Sequence, residues 1–172
     1  MDTCTEVFLE FSVRKLTQLS GRIQDCLGKL TEEQIWARHG ESENAAGNLV
    51  LHLSGNVRQW ILSAVGGVPD IRKRDEEFAA RGGLPGAELG GLLRDTVAEA
   101  AALMAALPAE RLSERVHVQG YDITVLEAIY HVVEHFSGHT GQIIYATKLL
   151  TGKDTAYYQH LKSTPAHSER TP

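Results

Sequence analysis

The strongest constraint on the fold is a shortage of charge in two long stretches that carry helical periodicity. From Ala45 to Val65 the only charged side chain is Arg58, and from Val125 to Leu150 the charges are Glu127, Glu134 and Lys148. Helices this poor in charge are expected to be largely buried. The stretch from about Thr5 to Leu30 differs. Its apolar stripe of Val7, Phe8, Phe11, Leu16, Leu19, Ile23 and Leu27 is backed by Glu6, Glu10, Arg14, Lys15, Arg22, Asp25 and Lys29, an ordinary wet face. A further long stretch runs from about Ala87 to Leu107 and stops before Pro108.

Local signals mark the joins. Thr31 and Gln34 have capping-box spacing and open a short helix; Thr124 and Glu127 repeat it before the last long one. Asn44 is the expected N-cap of the 45–65 helix, and Gly66-Gly67 its stop. Between Val68 and Gly86, prolines, glycines and mixed charges predict a long connection. Within it Arg72-Lys73-Arg74 is followed at once by Asp75, Glu76 and Glu77, which reads as a solvated loop. Arg115 to Tyr121 alternates weakly around Gly120, as a short extended arm would. Ser163 to Pro172 is polar and expected to be a disordered tail, leaving residues 1–162 as a single domain. Four long helices with one long crossover between the second and third describe an all-α four-helix bundle.

Composition removes some function classes. A net charge of -5 argues against nucleic acid as the main partner, which would call for a basic patch. No apolar run reaches the roughly 18 residues of a membrane span, and no leader pattern opens the chain. Cys4 and Cys26 have no metal-knuckle spacing and fall too far apart along one helix to bridge. The cytoplasm is the expected location.

Both charge-poor helices carry a row of uncharged polar residues at helical spacing: Asn48, His52, Asn56 and Gln59 in one, His131, His135, His139 and Gln142 in the other. Two such rows most economically face each other across a shared pocket, where a metal would sit. A lone buried histidine is usually a hydrogen-bonded core residue, but burying three imidazoles is costly unless each finds a partner. Histidines one turn apart, roughly 6 Å at Cβ, can share one ion. His131 and His139, about 12 Å apart along the axis, cannot do so without His135. The spacing thus offers either His131/His135 or His135/His139, with His52 the best third ligand. His39, His117, His160 and His167 have no such company and read as surface residues. HExxH, Walker, GxGxxG and GxSxG patterns are absent from the sequence, and Glu114–His117 is the only Glu-x-x-His element, so a di-iron carboxylate site lacks its second half.

The stretch Asn48-Leu-Val-Leu-His52-Leu-Ser-Gly-Asn56, the block Arg74-Asp-Glu-Glu-Phe78 and Glu134-His135-Phe-Ser-Gly-His139-Thr-Gly-Gln142 resemble the DinB-like (YfiT-like, metal-dependent) four-helix-bundle superfamily, in one of its bacterial branches. The likeness runs from the first helix to about Tyr158. It implies an up-down-down-up bundle, often a homodimer, and a divalent metal on three histidines that correspond to His52, His135 and His139. It thereby chooses the second histidine pair and leaves His131 to the pocket. Relatives usually carry arginine just after the last histidine, where this chain has Thr140. Several relatives resemble thiol-dependent transferases or isomerases that bind a low-molecular-weight thiol on the metal.

A site of three neutral imidazoles keeps an open position, unlike a closed structural zinc site. The expected function is therefore a metal-dependent enzyme of the small-thiol transferase type, acting on a small electrophile. A non-catalytic, stress-associated metal-binding protein and a metal-dependent hydrolase are the alternatives. Zinc or nickel suits the donor set, and iron also fits. His131 is the candidate for proton transfer, with Glu127 one turn before it as a hydrogen-bond partner. Asn48, Asn56 and Gln142 are expected to line the pocket, Gln142 holding water or substrate.

Overall fold

The computed structural model describes residues 4–159; the expected tail at 163–172, with His160 and His167, lies outside them. Helix α1 spans Cys4–Leu27, covering the whole apolar stripe but ending before the expected Leu30. Helix α2, Glu32–Ile35, opens with the expected box: the Thr31 hydroxyl accepts from Gln34 N–H and the Gln34 side chain from Thr31 N–H. Helix α3, Ala46–Val57, passes without a break into π-helical turns over Arg58–Val65. Its N-cap is Ala45, not Asn44, because Asn48 reaches back one turn and accepts the Ala45 N–H at 3.2 Å. The connection that follows contains an unexpected short helix α4, Arg74–Ala79.

Helix α5 spans Gly86–Ala105, and a 3-10 turn, Ala109–Ser113, leads to strands β1 (Arg115–Val118) and β2 (Tyr121–Thr124). The expected arm is thus one half of an antiparallel hairpin, with Arg115 opposite Thr124. Gln119 (φ 52°) and Gly120 (φ 82°) both take the left-handed conformation that a two-residue hairpin turn needs. Helix α6, Val125–Thr151, is opened by the Thr124–Glu127 box and closed by Gly152 at φ 66°.

α1 packs against α5 and α6, and α3 with its π-helical continuation packs against the same two. Between them lies one core that includes Leu16, Ile23, Leu53, Ile61, Leu93, Met104, Ile129, Phe136 and Ile143, all fully buried. Each such side chain stabilises the fold by roughly 1.5–3 kcal/mol relative to exposure. Where α3 and α6 meet, the later ring Trp60 touches the earlier His131, while the earlier His52 meets the later His139, so the two helices run antiparallel along the site.

Low charge has a different cause in each of these helices. In α3 only Leu51 and Gly55 escape full burial. α6 departs from the expectation: Leu126, Tyr130, Tyr145 and Leu149 are 42–66% exposed. Its charge is scarce because one outer face is apolar, not because the helix is enclosed. Among the described residues no helix is long and apolar enough to cross a membrane.

Candidate metal centre

His52 projects from the second turn of α3, and His135 and His139 from consecutive turns of α6. The Nε2 atoms of His52 and His135 are 3.1 Å apart, as are those of His135 and His139. One ring nitrogen from each of the three lies within 4.8 Å of the others. His52 is buried and the other two are half-buried.

The far side of each ring decides its tautomer. The His139 Nδ1 donates to Gln142 Oε1 at 2.8 Å, which leaves its Nε2 as a lone pair facing inward. His52 Nδ1 lies 3.1 Å from Glu77 Oε2, and a carboxylate there acts the same way. His135 Nδ1 is buried without a partner. Two inward lone pairs therefore meet a central ring with at most one proton to share. A cation at the common point would satisfy all three nitrogens, so the donor set fits a divalent ion.

Electrostatics agree. Burial, then the neighbouring His139, His52, His131 and Arg72, push the pKa of His135 down to about 3. Burial also lowers His139, opposed by the hydrogen bond it donates to Gln142. Neutral imidazoles are the ligand form. Burial alone would raise Glu77, but hydrogen bonds from Arg72 and His52 outweigh it and hold the carboxyl below its usual range.

The remaining expected site residues divide. His131 stands outside the cluster, stacked on Trp60 with ring centroids 4.0 Å apart, and 5.5 Å from the His135 ring. Burial lowers its pKa, partly opposed by Glu134. Glu127 does not partner it; its carboxylate accepts the Thr124 N–H and hydroxyl at the helix cap, both at 2.7 Å. Asn56 is buried with its Oδ1 unpartnered, and so is Trp60 Nε1 one turn later. Gln142 holds His139 itself. Asn48 is tied to the long connection: its amide donates to the carbonyls of Glu77 (2.8 Å) and Ala80 (2.9 Å) and accepts from Arg38 (2.6 Å). Gln59 likewise binds Asp70 and Arg72. Half of the α3 polar row thus anchors the long connection, and only part of it faces α6. Thr140 is buried and donates to Phe136 O at 2.8 Å. His39 and His117 are exposed, as expected.

In the charge run expected to be a solvated loop, Lys73, Arg74, Asp75 and Glu76 are exposed, but the two end residues are not. The side chains of Arg72 and Glu77 are only 3% and 11% exposed. Both pack against α3 at Gly55, where a Cβ would meet Glu77 Oε1 at 2.0 Å. That glycine, inside a helix without charged residues and one turn beyond His52, is the sequence signal for the contact.

The sequence model of a family described as a protein of unknown function (DUF1572) matches residues 3–162. The chain belongs to the DUF1572 family. No curated protein matches it. Among solved structures, a conserved protein from Enterococcus faecalis is similar, with a TM-score of 0.72 and 16% identity, over 84% of this chain and 97% of that one. A DinB-like protein, YjoA from Bacillus subtilis, gives a TM-score of 0.65 and 14% identity, over 86% and 96% of the two chains. At such identities the likeness concerns the fold, which for this DUF1572 chain is mainly helical and DinB-like.

Proposed function

We propose that the chain holds one divalent metal ion on the Nε2 atoms of His52, His135 and His139 and is a metal-dependent enzyme of the small-thiol transferase type. The observation that carries this is the meeting of three imidazole nitrogens whose outer nitrogens, on His52 and His139, are tied back to acceptors. When bound, a divalent ion on three neutral ligands acts as a Lewis acid and acidifies a coordinated thiol or water. Zinc or nickel suits the nitrogen set best, with iron also compatible.

The chain's own residues supply the rest. Glu77 and Gln142 orient the two outer ligands. His131, neutral near pH 7 because burial lowers its pKa, is the group that accepts a proton beside the centre. Asn56 Oδ1 and Trp60 Nε1 offer a buried acceptor and donor to a small electrophilic substrate. A reducing compartment, the cytoplasm, suits two free cysteines. An up-down-down-up bundle is supported by Gly66 meeting Leu103, which brings the later ends of the second and third long helices together. A homodimer is supported by the exposed apolar face of α6.

The test is metal content and zinc affinity of the full chain beside single alanine variants, followed by turnover with small thiols and electrophiles. His52→Ala, His135→Ala and His139→Ala should each lose the ion, since two imidazoles hold it far less well than three. His131→Ala should keep it and lose turnover. Retention of metal by all three ligand variants would end the reading; tight metal without turnover would leave a binding protein.

A further inference from the structure

The segment 72–80 crosses α3 directly over His52. Arg72 donates from Nε to Glu77 Oε1 and from Nη2 to Oε2, each at 2.8 Å, a two-point clamp that leaves the carboxylate one orientation. Arg72 Nη2 also lies 3.1 Å from His52 Nδ1, but a guanidinium only donates, so with a proton on Nδ1 the bond runs from His52 to Glu77. The backbone of the segment is held independently of that clamp: Asn48 binds the carbonyls of Glu77 and Ala80, and Arg38 that of Phe78 at 2.8 Å. The Phe78 ring covers the imidazole of His52, with centroids 4.7 Å apart. The clamp depends on Gly55, since a Cβ there would stand 2.0 Å from Glu77 Oε1 and 2.9 Å from Arg72 Nε.

We propose that Glu77 is a positioning residue of the centre: clamped by Arg72 over Gly55, it fixes the Nδ1–H tautomer of His52, so that docking of segment 72–80 and metal affinity form one coupled equilibrium. The inference rests on the three-histidine reading. Coupling is reciprocal, so a carboxylate that raises metal affinity implies that metal tightens the segment by the same factor.

Zinc affinity by chelator competition in the full chain, for wild type, Glu77→Gln, Gly55→Ala and His135→Ala, tests it. Backbone hydrogen exchange of 72–80 with and without zinc is the second readout. Glu77→Gln and Gly55→Ala should each weaken zinc by about 10–100-fold, the usual effect of losing such a support. Zinc should slow exchange across 72–80 in wild type and not in Gly55→Ala. In zinc-loaded protein the His52 Nδ1–H proton resonance, far downfield while a carboxylate holds it, should move upfield in Glu77→Gln. Wild-type affinity in Glu77→Gln and Gly55→Ala, beside loss in His135→Ala, overturns the inference and spares the metal centre. Wild-type affinity in His135→Ala overturns the centre itself. If Glu77→Gln does not fold, Gly55→Ala decides, because it keeps both charges. If neither folds, wild-type exchange decides, and zinc that leaves 72–80 unprotected refutes the coupling.

Discussion

Folding keeps a proton off His135 that the unfolded chain takes up at about pH 6.5, since burial and the surrounding rings push its pKa down to about 3. In metal-free protein the unfolded state therefore binds more protons between those values. Stability from this residue is complete above about pH 6.5 and is lost as the pH falls towards 3. Urea midpoints of chelator-stripped protein should drop from pH 7 to pH 5, and drop less in His135→Gln. The buried Arg72–Glu77 pair sets a second expectation at this scale. Arg72→Met leaves a carboxylate enclosed without its cation and should cost about 3–5 kcal/mol in urea unfolding. Arg72→Met combined with Glu77→Leu should recover most of that, because no charge is then stranded. A double variant no more stable than the single one would mean that the pair is not the source of the cost.

At the scale of elements, Gly47 fixes how the α2 segment leans on α3. A Cβ there would meet the Trp36 ring at 2.9 Å, and the ring is itself tethered by its Nε1–H donating to Leu84 O at 3.2 Å. Gly47→Ala should cost about 1–3 kcal/mol by overpacking, read from thermal unfolding; a neutral result would mean the indole shifts freely. The long helices and both capping boxes were legible in the sequence because each depends on spacing within one segment, whereas spacing left His131/His135 and His135/His139 both open and only the family resemblance chose the second pair. His52 was legible as a third partner because it is the one histidine of the other charge-poor stretch. The roles of Arg72 and Glu77 were not. Six consecutive charges from Arg72 to Glu77 look solvated locally, and four of them are; the burial of Arg72 and Glu77 arises only when Gly55, 17 and 22 residues earlier in the chain, lies beneath them. Asn48 was assigned to a pocket for the same reason: periodicity names a face but not the segment laid across it. The scarcity of charge in α6 misled in the opposite direction, since apolar composition does not distinguish a core from an outer face awaiting cover.

For the whole molecule, that outer face carries the clearest expectation. Tyr130, Tyr145 and Leu149 stand more than 60% exposed, and nothing lies within 4 Å of a Cβ built at Gly138 or Gly141 between them. Bare backbone flanked by aromatic rings lets a second helix approach closely. Light scattering at micromolar concentration should give twice the 18.9 kDa chain mass, and Tyr130→Glu with Tyr145→Glu should return it to that mass. A monomeric wild type would remove the homodimer. The stacking of Trp60 on His131 has an optical consequence. The chain has two tryptophans, and Trp36 is the other, tied to Leu84 on a different part of the fold. With Trp36→Phe, the emission of Trp60 becomes an internal lamp two rings from the histidine cluster. A paramagnetic ion such as nickel should dim it on arrival and zinc should not, so occupancy can be followed by light alone, without a label and before any substrate is known.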